Sequence, residues 1–202
     1  MRRPFPRLAS IVAVVAGAVA SASAEAATVQ WVGGTSFWDV VTNWGSNPLL
    51  PGIGDDVVVD VAGAQTVTHR SGTNTVNSLT FVGDDMLSVS GGSLTVAHSF
   101  SAGALTTLAG GTLTLNDASS MASLALAGGT LAGSGTVSVA GASSWLAGTQ
   151  AGSGTTSYAG ALALSGAGAK LLSGGRTVEL NGTTTWSNTA ANNGALQFAG
   201  AT

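Results

Sequence analysis

The chain has 202 residues, a formal net charge of −3 and no cysteine, so disulfides, thiolate nucleophiles and cysteine metal sites are excluded. Charged residues make up only 7% and hydrophobic residues 45%. That is the reverse of a disordered composition, in spite of 30 glycines.

The first residues read as an export signal. Arg2, Arg3 and Arg7 form a basic start, Ile11 to Ala20 an apolar run, and Ala22-Ser23-Ala24 a small-x-small site with cleavage expected before Glu25. Residues 1–24 are therefore taken as a Sec-type signal peptide, and the mature chain is expected outside the cell, at the cell surface or associated with the outer membrane. The apolar run is too short for a stable transmembrane helix, and no later stretch is long enough either. Cleavage removes three of the six Lys/Arg and none of the nine acids, moving the formal charge from −3 to −6. No basic patch remains, so nucleic acid and anionic membrane are poor partners.

Residues 25–70 have their own character. Trp31, Trp38 and Trp44 fall within 14 residues, among turn residues such as Gly33-Gly34, Pro48, Pro51 and Gly54-Asp55-Asp56. Large rings in a turn-rich segment suit a cap over an exposed sheet end. The same three rings could instead stack on sugars, which makes Trp31, Trp38 and Trp44 the candidate ligand-stacking residues.

Residues 71–202 repeat a phrase. Gly91-Gly92-Ser93-Leu94-Thr95-Val96 recurs as Gly110-Gly111-Thr112-Leu113-Thr114-Leu115 and as Gly128-Gly129-Thr130-Leu131, with starts 19 and 18 residues apart. Each copy is a glycine turn followed by alternating small polar and apolar residues, the period of a strand with one face buried. Apolar pairs at i and i+2 continue from Leu79/Phe81 to Leu196/Phe198, and no stretch keeps a helical period. A near-constant spacing favours a stacked β-solenoid over a sandwich, which needs no repeated phrase. Leu94, Leu113 and Leu131 are the expected inward stack. At about 4.8 Å per strand, residues 76–202 would give about six rungs in a column near 30 Å long.

The opening phrases Trp31-Val32-Gly33-Gly34, Trp38-Asp39, Asn43-Trp44 and Gly54-Asp55-Asp56-Val57 resemble the N-terminal module of large secreted bacterial β-helix proteins. Residues 145–202, with Trp145-Leu146-Ala147-Gly148-Thr149, Gly174-Gly175-Arg176-Thr177-Val178 and Gly182-Thr183-Thr184-Thr185-Trp186, resemble repeats of haemagglutinin-like and autotransporter-type adhesin passengers. The resemblance implies an all-β fold, a right-handed parallel β-helix, and a surface or adhesin role rather than a reaction. No membrane barrel follows, and the chain stops at Thr202 partway through what looks like another phrase. The expectation is thus an incomplete solenoid whose open C-terminal end meets a continuation of the same polypeptide or another copy.

Chemistry-bearing residues are sparse. Asp55-Asp56 with Asp60, and Asp84-Asp85, could offer oxygens to calcium, but the Gly-Gly-x-Gly-x-Asp pattern of calcium β-rolls is missing, and turn carboxylates that bind their own backbone explain them. Beyond residue 117 the only charged residues are Lys170, Arg176 and Glu179. That leaves no carboxylate pair for acid–base work on a polysaccharide. Arg176 and Glu179 read as a surface ion pair, and Trp145 and Trp186 as covers of turns or rung edges. The expectation is a non-enzymatic, adhesin-like solenoid without catalytic residues, cofactor or metal. Its partners would be host or extracellular glycans or proteins. The alternative is a carbohydrate-binding or polysaccharide-active module built on the N-terminal tryptophans.

Overall fold

A computed structural model describes residues 26–187 and 195–199. The proposed signal peptide, residues 1–24, lies outside the described residues. The described chain is all-β apart from one short 3-10 turn, Val41–Asn43, and forms a parallel β-solenoid of about seven turns.

Three ladders run through the stack. The first joins β1 (Ala27–Gln30), β3 (Asp55–Val59), β6 (Ser78–Phe81), the start of β9 (Phe100–Leu108), the start of β11 (Ser119–Ala132), β12 (Thr136–Val139), β14 (Thr155–Tyr158) and β17 (Thr177–Leu180). The second joins β2 (Ser36–Phe37), β4 (Thr66–His69), β7 (Met86–Val89), the end of β9, the middle of β11, the start of β13 (Ser143–Gln150), β15 (Leu162–Leu164) and β18 (Thr184–Trp186). The third joins β5 (Thr73–Val76), β8 (Ser93–Val96), β10 (Thr112–Leu115), the ends of β11 and β13, β16 (Lys170–Ser173) and β19 (Leu196–Ala199). The tryptophan-rich segment enters these same ladders, and position 70 falls inside a turn, between β4 and β5.

Alternation explains the interior. Along β8 and β10 the residues Leu94, Val96, Leu113 and Leu115 are fully buried while their neighbours face out. In-register pairing then stacks like on like: Leu94 on Leu113 on Leu131, and Val76 on Val96 on Leu115. On the first ladder a small residue sits between large ones, Phe81–Ala102–Met121, so successive side chains interdigitate at a fixed strand spacing. Trp145 belongs to such a column, 2% exposed between Leu126 and Leu164, where the sequence suggested a cover over a turn or edge. Two residues after buried Ser143 on β13, with Ser144 between them facing out, it falls on the inward face.

The Gly-Gly phrase has two structural solutions. Gly92 and Gly111 have φ of +68° and +62° and turn the chain into β8 and β10. A Cβ on either would collide with the backbone of the turn before it, at Gly72 and at Gly91. Gly128 and Gly129 instead lie within β11 without positive φ, so the third copy is strand rather than turn. Gly129 still meets the earlier turn closely, since its Cβ would lie 2.7 Å from the Gly110 carbonyl oxygen. Close stacking of backbones is therefore what all three copies share.

Candidate functional surfaces and the buried polar groups

The three N-terminal indoles are core. Trp31, Trp38 and Trp44 are 3%, 1% and 1% exposed. A short hairpin brings them together, with Val32 N–H donating to the Asn43 carbonyl and Gly45 N–H to that of Gln30. The Trp44 ring meets Trp31 and Trp38 edge-on, each at 4.7 Å between centroids, in the geometry that aromatic quadrupoles favour. Trp44 Nε1 donates to the Trp38 carbonyl at 2.8 Å and Trp31 Nε1 to that of Gly34 at 3.1 Å. With their rings packed on one another, these three indoles are covered in this arrangement and present no open face to a sugar. The exposed aromatic nearby is Phe37, with the Arg70 guanidinium 3.7 Å above its ring and that guanidinium held by both oxygens of Asp39. Nothing in the spacing of Asp39 and Arg70, 31 residues apart, announces this pair.

Of the five carboxylates weighed as calcium ligands, Asp55, Asp56 and Asp85 are occupied as acceptors. Asp55 accepts from Gly52 N–H, and buried Asp85 accepts from Val61 and Gln65 N–H, clamping the turn at 61–65. Asp56 accepts from Ser78 Oγ and Asn77 Nδ2, and these bonds, the serine's first, hold its carboxyl below the usual carboxylate range. Asp60 and Asp84 are exposed. His98 lies 3.8 Å from Asp117 at the surface, whereas His69 is fully buried with its ring nitrogens against Gly91 O and Asn74 Oδ1.

Two amides bracket the leucine stack. In register, the column of Leu94, Leu113 and Leu131 begins at Asn74 and runs on to Gln150. Asn74 is engaged by His69, and buried Gln150 donates through Nε2 to Tyr158 Oη at 3.1 Å. The three leucine phrases thus fill the space between two polar layers.

The second polar layer contains the main departure from the sequence reading. Arg176 does not pair with Glu179 at the surface: it is 4% exposed and points into the solenoid. Arg176 immediately precedes β17, and carrying that strand's alternation back by one residue puts it on the face opposite Glu179, inward where Glu179 is outward. Arg176 Nε donates to Thr156 Oγ1 at 2.9 Å, and Nη1 to the carbonyls of Ala151 and Gly133 at 3.1 and 3.3 Å. It occupies a corner where Gly133, Gly152 and Gly174 stack without side chains. Lys170 is also inside, 1% exposed, with Nζ donating to Leu146, Gly168 and Gly166 carbonyls. Burial lowers the pKa of both cations, and in Arg176 the nearby Tyr158 partly offsets it. Burial likewise pushes Tyr158 well above an ordinary phenol.

Outside, the ladders carry ranks of hydroxyls. Thr73, Ser93, Thr112, Thr130 and Thr149 stand in register on one face, and Thr80, Ser101, Ser120, Ser138 and Ser157 on another. At the far end Leu180, Trp186 and Phe198 are 50%, 46% and 65% exposed. Leu180 and Phe198 line a depression of about 160 Å³ that reaches Trp145 and Leu164. No helix among the described residues is long and apolar enough to cross a membrane. No protein-family model, curated protein or solved structure matches the chain.

Proposed function

We propose that this chain is an exported, non-enzymatic bacterial surface protein of the adhesin-passenger kind, in which a stiff column presents ranked hydroxyl side chains to extracellular glycans or proteins. The observation that carries the reading is the pairing of three in-register ladders with outward ranks of serine and threonine. A parallel stack with an aliphatic interior resists bending because every turn is bonded to the next along three faces. Short hydroxyl side chains repeated at strand spacing give multivalent, shallow hydrogen-bonding surfaces, suited to extended polymers rather than to a small substrate in a cleft.

Export rests on the basic-apolar-small pattern of residues 1–24. It is tested by producing the chain with its own leader in a Gram-negative host and sequencing the mature N-terminus. A start at Glu25 outside the inner membrane is expected, and an uncleaved cytosolic chain overturns export. Presentation is tested by glycan and matrix-protein arrays. Saturable binding that falls when Thr112, Thr130 and Thr149 are changed together to alanine is expected. An array without binding leaves a purely structural column and removes the adhesin role.

A further inference from the structure

His69 is a titratable ring sealed inside the solenoid at the end of β4. Val89 is its register partner in the next turn, and the Trp38 ring stands edge-on to it at 6.0 Å between centroids. Both ring nitrogens meet oxygens: Nδ1 lies 2.9 Å from the Gly91 carbonyl oxygen and Nε2 3.0 Å from Asn74 Oδ1. A neutral imidazole has one N–H and one lone pair, so it serves only one of two acceptors. The Gly91 carbonyl cannot donate, which places the proton of a neutral ring on Nδ1. The Nε2 lone pair would then face Oδ1, acceptor against acceptor. Two arrangements remove that conflict. The ring takes a second proton and donates at both nitrogens, or the Asn74 amide makes a half turn and brings Nδ2 to where Oδ1 stands. Nδ2 has no hydrogen-bond partner among the described residues to hold the amide against such a turn. No charged group dictates the choice. Arg70, next on the chain, is partly exposed and paired with Asp39. Asp85 serves the other end of β4, bonded to Val61 and Gln65 N–H. Neither ion pair among the described residues includes His69.

We propose that His69 and Asn74 form a proton-operated switch inside the column. At neutral pH the ring is neutral, Nδ1–H donates to Gly91 and Asn74 donates to Nε2 through Nδ2. In mild acid Nε2 takes one proton from solvent, and the amide turns to accept from it through Oδ1. Imidazole is the side chain whose charge changes in that range. The acid state sets the new charge between two oxygens, in charge-assisted bonds. The Gly91 bond persists in both states, so the turn into β8 stays held. The change falls on Asn74, the partly exposed member of the pair, in register with Leu94 at the foot of the leucine column.

The test is nitrogen-15 NMR of the folded chain from about pH 8 to about pH 5. The His69 Nε2 resonance is expected to move from the lone-pair to the N–H position while Nδ1 stays N–H. The Asn74 Nδ2 resonances are expected to shift with the same midpoint. Asn74→Leu lengthens the leucine stack and removes the acceptor of the acid state, so the His69 transition moves to lower pH. Asn74→Asp puts a permanent acceptor there and moves it to higher pH. Should the leucine variant fail to fold, the aspartate variant carries the comparison. A ring that keeps one protonation state across the range overturns the switch. So does a ring that titrates while Asn74 Nδ2 stays put, or one whose midpoint is the same in the variants as in the unmodified chain.

Discussion

Thr106 puts a hydroxyl into the middle of an aliphatic column. It is fully buried between Leu87 and Leu124, and its Oγ1 has no hydrogen-bond partner among the described residues. An unsatisfied buried hydroxyl costs about 1–3 kcal/mol, and valine has nearly its shape. Thr106→Val is therefore expected to stabilise the protein by up to about 1 kcal/mol, read from chemical denaturation midpoints. Asp56 makes an opposite case. Its folded pKa is lowered by Ser78 and then Asn77, so it contributes stability that is fully present above the unfolded carboxylate value near ~3.9 and is lost as pH falls through the folded value. In Asp56→Asn, stability is expected to fall less steeply below about pH 4, in unfolding measured across that range. At this scale the sequence speaks clearly for Leu94 and Leu113, whose neighbours alternate with them. It is silent on Arg176, whose inward course depends on a corner vacated by glycines 2, 24 and 43 positions away in the chain. The indoles are legible in part: clustering in sequence signals aromatic packing, and only the hairpin decides that their faces turn on each other.

The elements are short because the turns do the specifying. Gly111 needs a left-handed φ and has the backbone of Gly91 where a Cβ would go, within 2.6 Å of its carbonyl carbon. Gly54 has open space and no such φ. Gly111→Ala is expected to cost more than about 2 kcal/mol, from left-handed strain together with backbone collision. Gly54→Ala should be neutral or stabilise by up to about 1 kcal/mol through the unfolded chain. Equal costs at the two positions, in matched unfolding curves, would show that the stacking at Gly111 does not matter. The glycine spacing made the parallel stack readable from the sequence. It also suggested three identical turns, and the third copy became strand, because close approach and positive φ are separate demands that both select glycine.

Across the whole molecule, stability should be graded. Each turn gains its burial from the turns on either side, so nearest-neighbour terms dominate. The turn carrying β17, β18 and β19 leaves Leu180, Trp186 and Phe198 46% to 65% exposed, while Leu94 and Leu113 are fully covered. Hydrogen exchange is expected to be slowest in β8 and β10 and fastest in β17–β19. Uniform protection from β3 to β19 would mean that the column unfolds as one unit. The tryptophans of the 25–70 segment set it apart from the repeats in composition, yet its β3 and β4 pair strand for strand with β6 and β7 of the next turn, as β1 and β2 do with β3 and β4.

The register has an evolutionary consequence. Ser93 and Thr112 occupy the same place one turn apart, and so do Thr112 and Thr130. A gene that loses or duplicates the 19 codons from Ser93 to Gly111 rejoins the chain in phase, with inward residues still inward. Reach can then be lengthened or shortened by recombination in whole steps, without redesigning any contact between turns. The two amide layers at Asn74 and Gln150 mark where this freedom ends, since each is tied to a partner, His69 or Tyr158, that an added leucine turn would not bring with it.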